Sequence, residues 1–275
     1  MRVAVVGHVE WIEFVRVARV PAAGEIVHAG EAWEEPGGGG AVAAVQLAKL
    51  AGGCEFFTAL GDDALGERAR AELTALGLSL RAGRRPERQR RAFTHVDDAG
   101  ERTITVIGTR MGPAAADALG WEWLAECDAV YVTAGDAEAV RLARRARVLV
   151  ATSRILGTLR EAAVVVDALV GSANDPAERY DGELAPAPRL VVRTMGAKGG
   201  RYEVDGASRA YAAAALPGPA VDAYGCGDAF AAGLTYALGA GLGAGEAVAV
   251  AARCGAAALT GRGPYAGQLV RAAPA

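Results

Sequence analysis

The chain has 275 residues, of which 52% are hydrophobic, so it is long and apolar enough to bury a large α/β core. Its formal net charge at pH 7 is −3, and acidic and basic residues are scattered without a long basic block. These values exclude a disordered chain and give no electrostatic reason for a nucleic acid or membrane partner, so we expect small-molecule chemistry.

The first half of the chain predicts strands and helices with two β-hairpins among them. Val3 to Val6 is a short apolar run, as expected for a buried parallel strand. Apolar and polar residues alternate from Trp11 to Trp33, and again in Arg91 to Val96 and Arg102 to Ile107, so each region predicts a hairpin. The segments between the hairpins predict a helix, a strand and a helix, at Ala41 to Leu50, Cys54 to Leu60 and Ala64 to Leu76.

Beyond Pro113, apolar strands alternate with helical segments, which is the pattern of a doubly wound α/β domain. Two alanine-rich helices are predicted last, at Ala229 to Leu238 and Glu246 to Leu259. The strands predicted in this half are Ala129 to Gly135, Arg147 to Thr152, Ala163 to Asp167, Ala168 to Ala173 and Arg189 to Gly196.

These elements predict a single domain over residues 1–275. Its fold class is α/β, with a doubly wound, mostly parallel sheet flanked by helices, and a small β lid formed by about 10–35 and 90–108. Met1 leads directly into the first predicted strand without a basic leader or an apolar signal segment, so we expect a cytoplasmic protein.

The segment Val221 to Leu234, VDAYGCGDAFAAGL, carries the most specific chemistry in the chain. Gly225, Cys226 and Gly227 allow backbone N–H groups to approach an anion where a helix is predicted to begin, so they form a candidate phosphate cradle. Asp228 follows the cradle and is the candidate base that takes a proton from a hydroxyl attacking a phosphoryl group. The thiol of Cys226 should have a lowered pKa at this helix terminus. A tight turn that caps a buried helix is the alternative.

A second glycine-bearing loop follows a predicted strand within Val191 to Gly200, VVRTMGAKGG. Thr194 brings a hydroxyl group to this loop, and Lys198 brings an ammonium group. Together with backbone amides at Gly196 and Gly199, these groups could converge on nucleotide phosphates. A plain glycine turn with an exposed lysine is the alternative.

Two further segments are candidate ligand contacts, and the first lies at a strand end, where ligands gather in open α/β sheets. Asn174 follows a predicted strand, either as a ligand contact or as an Asx turn or helix cap. The cluster Gly37 to Gly40 precedes a predicted helix. It is either a flexible hinge or bare backbone whose amides sugar hydroxyls can reach.

Taken together, these segments resemble the ribokinase-like (PfkB) family of carbohydrate kinases. Asp222 to Asp228 is similar to the family's D-T-x-G-A-G-D signature, with Ala223 in place of Thr and Cys226 in place of Ala. In that family the final Asp is the catalytic base, and the G-A-G backbone is an anion hole for the transferring phosphate. The resemblance therefore implies these roles for Asp228 and for the candidate phosphate cradle.

The resemblance extends to the nucleotide. Thr194, Gly196 and Gly199 match the family's T-x-G-x-x-G loop, which contacts ATP. Asn174 resembles the Asn of the N-x-x-E element, and Glu178 falls one residue later than that element's Glu, which acts on hydrated magnesium. ATP and Mg²⁺ are therefore the implied cofactors. The residues that the resemblance assigns to ATP are Asn174, Thr194, Gly196, Lys198 and Gly199.

On the acceptor side, the glycine cluster resembles the family's G-G-x-x-x-N-x-A signature. Gly38 and Gly39 are the implied backbone contacts, and Val42 stands in place of Asn. Upstream, Glu10 and Ile12 stand where Asn and Asp are common in the family. Two polar contacts with the acceptor are therefore expected to be missing.

The missing groups affect which acceptor fits, because hydrogen-bonding sites discriminate strongly between hydroxyl patterns. We expect a neutral acceptor with an apolar or deoxy feature, and poor activity on ribose or a sugar phosphate, since a carboxylate at Glu10 would repel acidic acceptors. His8, Glu10 and Asp136 are candidate replacement contacts, and each also fits a surface charge or a local hydrogen bond.

The sequence thus predicts ATP-dependent phosphorylation of a hydroxyl group on a small sugar-like acceptor. A nucleoside kinase, with Trp11 and Trp33 stacking on the base, is the alternative, and a ligand sensor without catalysis is an alternative of another class. The expected partners are ATP and a small sugar-like molecule, without nucleic acid or membrane, and a homodimer formed through the lid is a further expectation. Asp222 matches the family's monovalent-cation loop, next to an unusual Tyr224, so cation dependence stays open.

Overall fold

The computed structural model describes residues 1–270 of the chain. This part contains thirteen strands and six α-helices. The strands are β1 (Val3–Val6), β2 (Glu10–Arg16), β3 (Glu31–Gly37), β4 (Cys54–Gly61), β5 (Leu78–Arg85), β6 (Arg91–Val96), β7 (Arg102–Ile107), β8 (Ala129–Val132), β9 (Val148–Thr152), β10 (Ala168–Ser172), β11 (Leu190–Thr194), β12 (Gly200–Val204) and β13 (Ala207–Tyr211). The helices are α1 (Gly39–Ala51), α2 (Ala64–Ala75), α3 (Ala137–Ala143), α4 (Leu156–Ala162), α5 (Cys226–Gly239) and α6 (Ala244–Ala258).

The larger of the two sheets has nine strands in the order β13-β12-β11-β10-β9-β8-β1-β4-β5. Strands β1, β4, β5 and β8 to β11 pair in parallel, and β12 and β13 add an antiparallel hairpin at one edge. This mostly parallel arrangement confirms the fold class that the alternating strands and helices predicted.

Side chains alternate across the larger sheet and bury both of its faces, which explains why its strands are nearly continuous apolar runs. In β1, Val3 and Val5 pack in one cluster with α1, α5 and α6, whereas Ala4 and Val6 pack with α3 and α4 on the other face. The result is a three-layer arrangement of helices, sheet and helices. No helix within residues 1–270 has the length and apolar character needed to cross a lipid bilayer.

The smaller sheet has four strands in the order β3-β2-β6-β7. Strands β2 and β3 are antiparallel, as are β6 and β7, so both predicted hairpins are confirmed. Phe14 and Ile12 on β2 are buried, whereas every residue of β7 is exposed. The sheet therefore has one packed face and one open edge strand.

One predicted strand, Ala163 to Asp167, is wrong. Ala163 ends α4 in a left-handed conformation, with φ 51°, and the apolar residues that follow form the connection into β10. Asp167 closes this connection, because its carboxylate accepts from the backbone N–H of Leu149 at 2.8 Å and pairs with Arg144. An apolar run of this length fits a half-buried connection as well as a strand.

The strand order reverses at β1, which pairs with β4 on one side and β8 on the other. In open α/β sheets, ligands bind outside the carboxyl ends of the strands at such a reversal. The carboxyl ends of β1, β8 and β9 lead directly to His8, Thr133 and Arg154. The reversal therefore marks the place for a binding site.

Candidate active site

The amino terminus of α5 presents free backbone N–H groups. Its first helical hydrogen bond runs from the N–H of Ala229 to the carbonyl of Gly225, at 2.8 Å, so the amides of Cys226, Gly227 and Asp228 have no partner within the helix. Gly225 has φ 77°, and a Cβ there would lie 2.8 Å from Val42 Cγ1, so only glycine fits this turn. A Cβ at Gly227 would meet nothing within 4 Å, which leaves the amides open to a ligand.

Asp222 anchors the loop that leads into α5. Its side chain is fully buried, and its two carboxylate oxygens accept from the N–H of Tyr224 at 2.8 Å and of Gly263 at 3.0 Å. Both oxygens are thus occupied by backbone donors, which gives Asp222 a structural role in this loop. Within residues 1–270, no group of three or more His, Cys, Asp and Glu side chains is arranged to hold a metal ion.

Asp228 is a carboxylate with a shifted acidity. Burial raises the pKa of Asp228 to about 6, and the negative charges of Glu178 and Glu10 act in the same direction. The positive charges of Arg102 and Arg154 oppose that pKa shift, and Arg102 has the larger effect. A carboxylate with a pKa near 6 is ionised at neutral pH and is a stronger base than an ordinary aspartate.

The glycine cluster lies directly against Asp228. A Cβ at Gly39 would lie 2.7 Å from Asp228 Oδ1 and 3.6 Å from the His8 ring, and a Cβ at Gly38 would lie 3.1 Å from the backbone nitrogen of Glu10. The backbone of the cluster, the side chain of Asp228 and the start of β2 therefore meet closely. This packing supports the interpretation of the cluster as bare backbone rather than as a flexible hinge.

Glu10 is held in an ion pair. Its Oε1 lies 2.8 Å from Arg90 Nε and 3.8 Å from His8 Nε2. Burial raises the pKa of Glu10, while Arg90 lowers it. Burial also holds the pKa of His8 well below its ordinary value, so His8 is neutral near Thr133 Oγ1, at 3.4 Å. The ion pair with Arg90 compensates the charge of Glu10, which weakens the expected repulsion of acidic acceptors.

Two more arginines line a cavity of about 460 Å³ beside these groups. The positive charges of Arg110, Arg90 and Arg154 all lower the pKa of His8, so all three guanidinium groups lie near the strand reversal. Arg154 pairs with Glu178, whereas Arg110 makes no ion pair with the residues from 1 to 270. The cavity is therefore suited to an anion.

Asp136 lines the same cavity, but its carboxylate is already engaged. It accepts from the N–H of Ala139 at 2.7 Å and from the N–H of Ala115 at 3.1 Å, and so caps α3. Of the interpretations open for Asp136, the local hydrogen bond is the one that the structure shows.

Ile12 and Val42, which stand where the family usually has Asp and Asn, pack in the protein core rather than on a binding surface. Ile12 and Val42 are fully buried, and a Cβ at Gly37 would lie only 2.4 Å from Ile12 Cδ1. Trp11 is also fully buried, and Trp33 stacks on a neighbouring ring in the small sheet, with centroids 4.8 Å apart. The structure therefore places neither Ile12 nor Val42 as an apolar pocket wall, and neither tryptophan is free to stack on a base.

The residues predicted to contact ATP gather at the carboxyl ends of β10 and β11. Ser172 of β10 pairs in register with Thr194 of β11, so Asn174 and the 196–199 loop begin at the same edge of the sheet. Asn174 and Lys198 are exposed. A Cβ at Gly196 would meet nothing within 4 Å, which leaves its backbone open to solvent.

Glu178 connects the nucleotide side with Asp228. Its Oε2 accepts from the N–H of Ser172 at 2.6 Å, and its Oε1 lies 2.6 Å from Arg154 Nε. Its negative charge raises the pKa of Asp228. Glu178 therefore acts on the acidity of the base, despite its displaced position in the N-x-x-E pattern.

The expected low pKa of Cys226 is wrong. Burial raises the pKa of this thiol to about 12, and this effect outweighs the nearby positive charge of Arg102. Loss of hydration opposes thiolate formation more strongly here than the helix terminus favours it.

Four arginines of the site were not predicted from the sequence, namely Arg90, Arg102, Arg110 and Arg154. Almost every basic residue in the chain is an arginine, so residue type alone did not distinguish the arginines of the site from those of the surface. A usable signal existed for Arg154, which follows the predicted strand Arg147 to Thr152 at a strand end.

A doubly wound fold with a base and free helix amides beside a glycine backbone defines a phosphotransferase that acts on a hydroxyl group. The model of the pfkB family of carbohydrate kinases matches residues 1–155 and 143–270. The chain belongs to this family, and it is an ATP-dependent kinase of a small sugar-like acceptor.

Relatives and solved structures agree with this family. The chain is 30% identical over 253 residues to an ATP-dependent ribose-1-phosphate kinase of Halopiger xanaduensis, covering 85% of this chain and 83% of the relative. A ribokinase structure from Thermotoga maritima matches with a TM-score of 0.79 and 22% identity, covering 98% and 97% of the two chains. An adenosine kinase structure from Sinorhizobium meliloti matches with a TM-score of 0.77 and 19% identity, covering 96% and 95%.

Proposed function

We propose that the acceptor of this kinase is a sugar phosphate, with its phosphate group bound by arginines beside Asp228. The observation that carries the proposal is the cavity lined by Arg110 and Arg154, next to the ion pair of Arg90 with Glu10 beside His8. The relative from Halopiger xanaduensis, whose name specifies ribose 1-phosphate, supports the same substrate class. This proposal replaces the neutral acceptor expected from the sequence.

Arg110 is the candidate phosphate ligand of the cavity. Partial removal from water, and then the charge of Arg90, lower the pKa of Arg110, so an anion beside it would relieve an unfavourable concentration of positive charge. A guanidinium group binds phosphate through two parallel hydrogen bonds, which favours phosphate over a neutral hydroxyl compound. The cavity of about 460 Å³ has room for a pentose phosphate.

In the proposed reaction, Asp228 takes the proton of the acceptor hydroxyl as that oxygen attacks the terminal phosphoryl group of ATP. The free amides of Cys226, Gly227 and Asp228 stabilise the charge of the group in transfer. Thr194 and Lys198 lie at the sheet edge that would hold the ATP phosphates.

Bound Mg²⁺ would supply positive charge to the ATP phosphates. Glu178 would hold the ion through bound water, because its two carboxylate oxygens already accept from the N–H of Ser172 and pair with Arg154. The carboxylate oxygens of Asp222 accept from the N–H groups of Tyr224 and Gly263, so the proposed reaction assigns this residue to the loop and draws no step through a monovalent cation.

We test the acceptor by measuring ADP release from ATP with ribose 1-phosphate, ribose 5-phosphate, ribose and adenosine. We expect a kcat/KM for ribose 1-phosphate at least about 100-fold above that for ribose, since unpaired charged groups penalise the neutral sugar. A preference for ribose would contradict the proposal, and a preference for adenosine would establish the nucleoside kinase instead.

The variant Arg110→Ala should raise the KM for ribose 1-phosphate about 10- to 100-fold, because a charged hydrogen-bond pair is lost. The KM for ATP should stay within about threefold of the wild-type value. Arg145→Ala is the matched control, since Arg145 is an exposed arginine at the amino-terminal end of β9, away from the cavity. An unchanged acceptor KM in Arg110→Ala would exclude Arg110 as the phosphate ligand.

The surroundings of the enzyme are part of the same proposal. Its partners are ATP and a sugar phosphate rather than nucleic acid or membrane, in keeping with a net charge of −3. The use of ATP supports a cytoplasmic location. The exposed edge strand β7, with Ile104 and Val106 more than a third exposed, supports a homodimer formed through the small sheet.

A further inference from the structure

Arg102 is a charged residue of the small sheet that the reaction described above does not use. It is the first residue of β7, the edge strand, and it pairs in register with Val96 of β6. Its side chain makes no ion pair with any residue from 1 to 270. A guanidinium group without a carboxylate partner is available to an anionic ligand.

The turn before Arg102 is firmly built and docked on the loop that leads into α5. Asp97 Oδ1 accepts from the N–H groups of Ala99 and Glu101, each at 3.0 Å. The carbonyl of Gly100 accepts from the N–H of Ala223 at 3.0 Å. Gly100 is buried with φ 77°, and a Cβ there would lie 3.1 Å from the Val221 carbonyl oxygen. The contact fixes the backbone at Gly100, two residues before Arg102, the first residue of β7.

Electrostatics show which way the charge of Arg102 acts. Among the positive charges that lower the pKa of Asp228, that of Arg102 has the largest effect, and Arg102 also lowers the pKa of Cys226 and Tyr224. All three residues lie at or just before the amino terminus of α5. Arg102 therefore acts on the place where the free helix amides and the base meet.

Charged groups from four other segments also face Asp228. Glu10 lies on β2, Arg154 follows β9, and Glu178 lies in the turn after β10. Arg110, which follows the small sheet, is the fourth. Arg154 is already paired with Glu178, and Glu10 is paired with Arg90. Among the positive charges that lower the pKa of Asp228, Arg102 thus has the largest effect, and it has no ion-pair partner in residues 1–270.

We propose that Arg102 is a catalytic residue, which the small sheet places against the phosphoryl group as that group passes from ATP to the acceptor. Charge in this transition state is spread over three equatorial oxygens. The free amides of α5 donate to that charge from the protein core, and the Arg102 guanidinium donates to it from the small sheet. The proposal rests on the kinase reaction and does not depend on the identity of the acceptor.

The test compares Arg102→Ala and Arg102→Lys with the wild-type enzyme. The substrates are ATP and whichever of ribose 1-phosphate, ribose 5-phosphate, ribose and adenosine is the best acceptor. We expect kcat to fall about 10²- to 10³-fold in Arg102→Ala while both KM values stay within about threefold. Arg102→Lys should recover part of the loss, since it keeps the charge but not the fork of donors. Arg91→Ala is the matched control, because Arg91 begins the neighbouring strand and pairs with Glu13 at 3.4 Å.

The pH profile separates catalysis from a structural role. Removing the Arg102 charge should raise the pKa of Asp228, so the acidic limb of kcat/KM should move to higher pH in Arg102→Ala and stay in place in Arg91→Ala. Because Arg102 is exposed, the melting temperature should not change. A kcat within about threefold of wild type, or a change confined to KM, would overturn the proposal whichever acceptor is used.

Discussion

At the scale of single residues, Asp228 sets the pH range in which the enzyme works. Its pKa is raised to about 6, and only the ionised form accepts a proton, so kcat/KM should fall tenfold per pH unit below that value. Asp228→Asn should lower kcat about 10²- to 10⁴-fold while leaving ATP affinity nearly unchanged. Steady-state assays from pH 4.5 to 8, with ATP titration by calorimetry, measure both.

The same substitution has an expected effect on stability. The folded-state pKa of Asp228 lies above its ordinary value of 3.8, so the folded protein favours the protonated form, and stability is lost as the pH rises through this window. At pH 7, Asp228→Asn should therefore raise the free energy of unfolding by about 1–3 kcal/mol. Near-normal turnover, or a less stable variant at pH 7, would show that Asp228 is not a buried base.

The reactivity of Cys226 tests whether burial or the helix terminus has the larger effect on the pKa of its thiol. Because burial raises the pKa of its thiol to about 12, iodoacetamide at pH 7.5 should modify it at less than about a tenth of the rate of free cysteine. Mass spectrometry of the peptide that contains Cys226 measures this rate. If the thiol were modified rapidly and ATP prevented the modification, the result would instead support the low pKa expected from the sequence. Cys226→Ala should keep full activity, since the proposed phosphate contact is the backbone amide, which alanine retains.

The sequence predicted some site residues better than others, for a physical reason. Asp228 and the glycines of the cradle have a functional pattern within seven consecutive residues, so local sequence is enough to find them. Arg110 and Glu10 come together only through the packing of β1, β2 and the end of the small sheet. Glu10 alone indicated repulsion of anions, because its partner Arg90 lies 80 residues away in the chain.

At the scale of elements, the contact between α1 and α5 depends on the absence of a side chain at Gly39. Gly39→Ala would bring a Cβ to 2.7 Å from Asp228 Oδ1, so the carboxylate must shift. We expect kcat to fall about 10- to 100-fold, because a displacement of this size spoils the alignment of the base. The free energy of unfolding should fall by only about 1–2 kcal/mol.

Gly53→Ala is the control for that change, since a Cβ at Gly53 meets nothing within 4 Å. Its kcat should equal that of the wild type. Equal turnover in Gly39→Ala and Gly53→Ala would show that the base tolerates movement, and the close packing at Gly39 would then have no catalytic meaning.

Elements with strong local patterns were predictable, whereas elements defined by their surroundings were not. The hairpin of β6 and β7 was predicted to the residue, because its alternation and its turn lie within 17 residues. Ala163 to Asp167 has the same composition as a buried strand, but Ala163 ends α4, and Asp167 closes the connection to β10. The exposed hairpin of β12 and β13 was not predicted, since its alanines and glycines carry little strand preference.

At the scale of the whole molecule, the site is assembled from the two sheets together. The large sheet supplies the strand ends at the site. The small sheet supplies Arg102, at the start of β7, and Glu10, at the start of β2. Further contacts join them, since Tyr265 donates to the Pro36 carbonyl at 2.6 Å and Arg262 lies over the Trp33 ring at 4.8 Å. Family resemblance gave the order of the segments, but these contacts depend on side chains that no signature includes.

The central position of β1 has a consequence for synthesis of the chain. Its residues Val3 to Val6 pair with β4 on one side but with Ala129 to Val132 on the other, 126 residues later. At about 5–20 residues per second, a ribosome needs roughly 6–25 s to make the intervening chain. During that interval the apolar edge of β1 is unpaired, so a growing chain offers chaperones, or other unfinished chains, a strand that the finished enzyme hides completely.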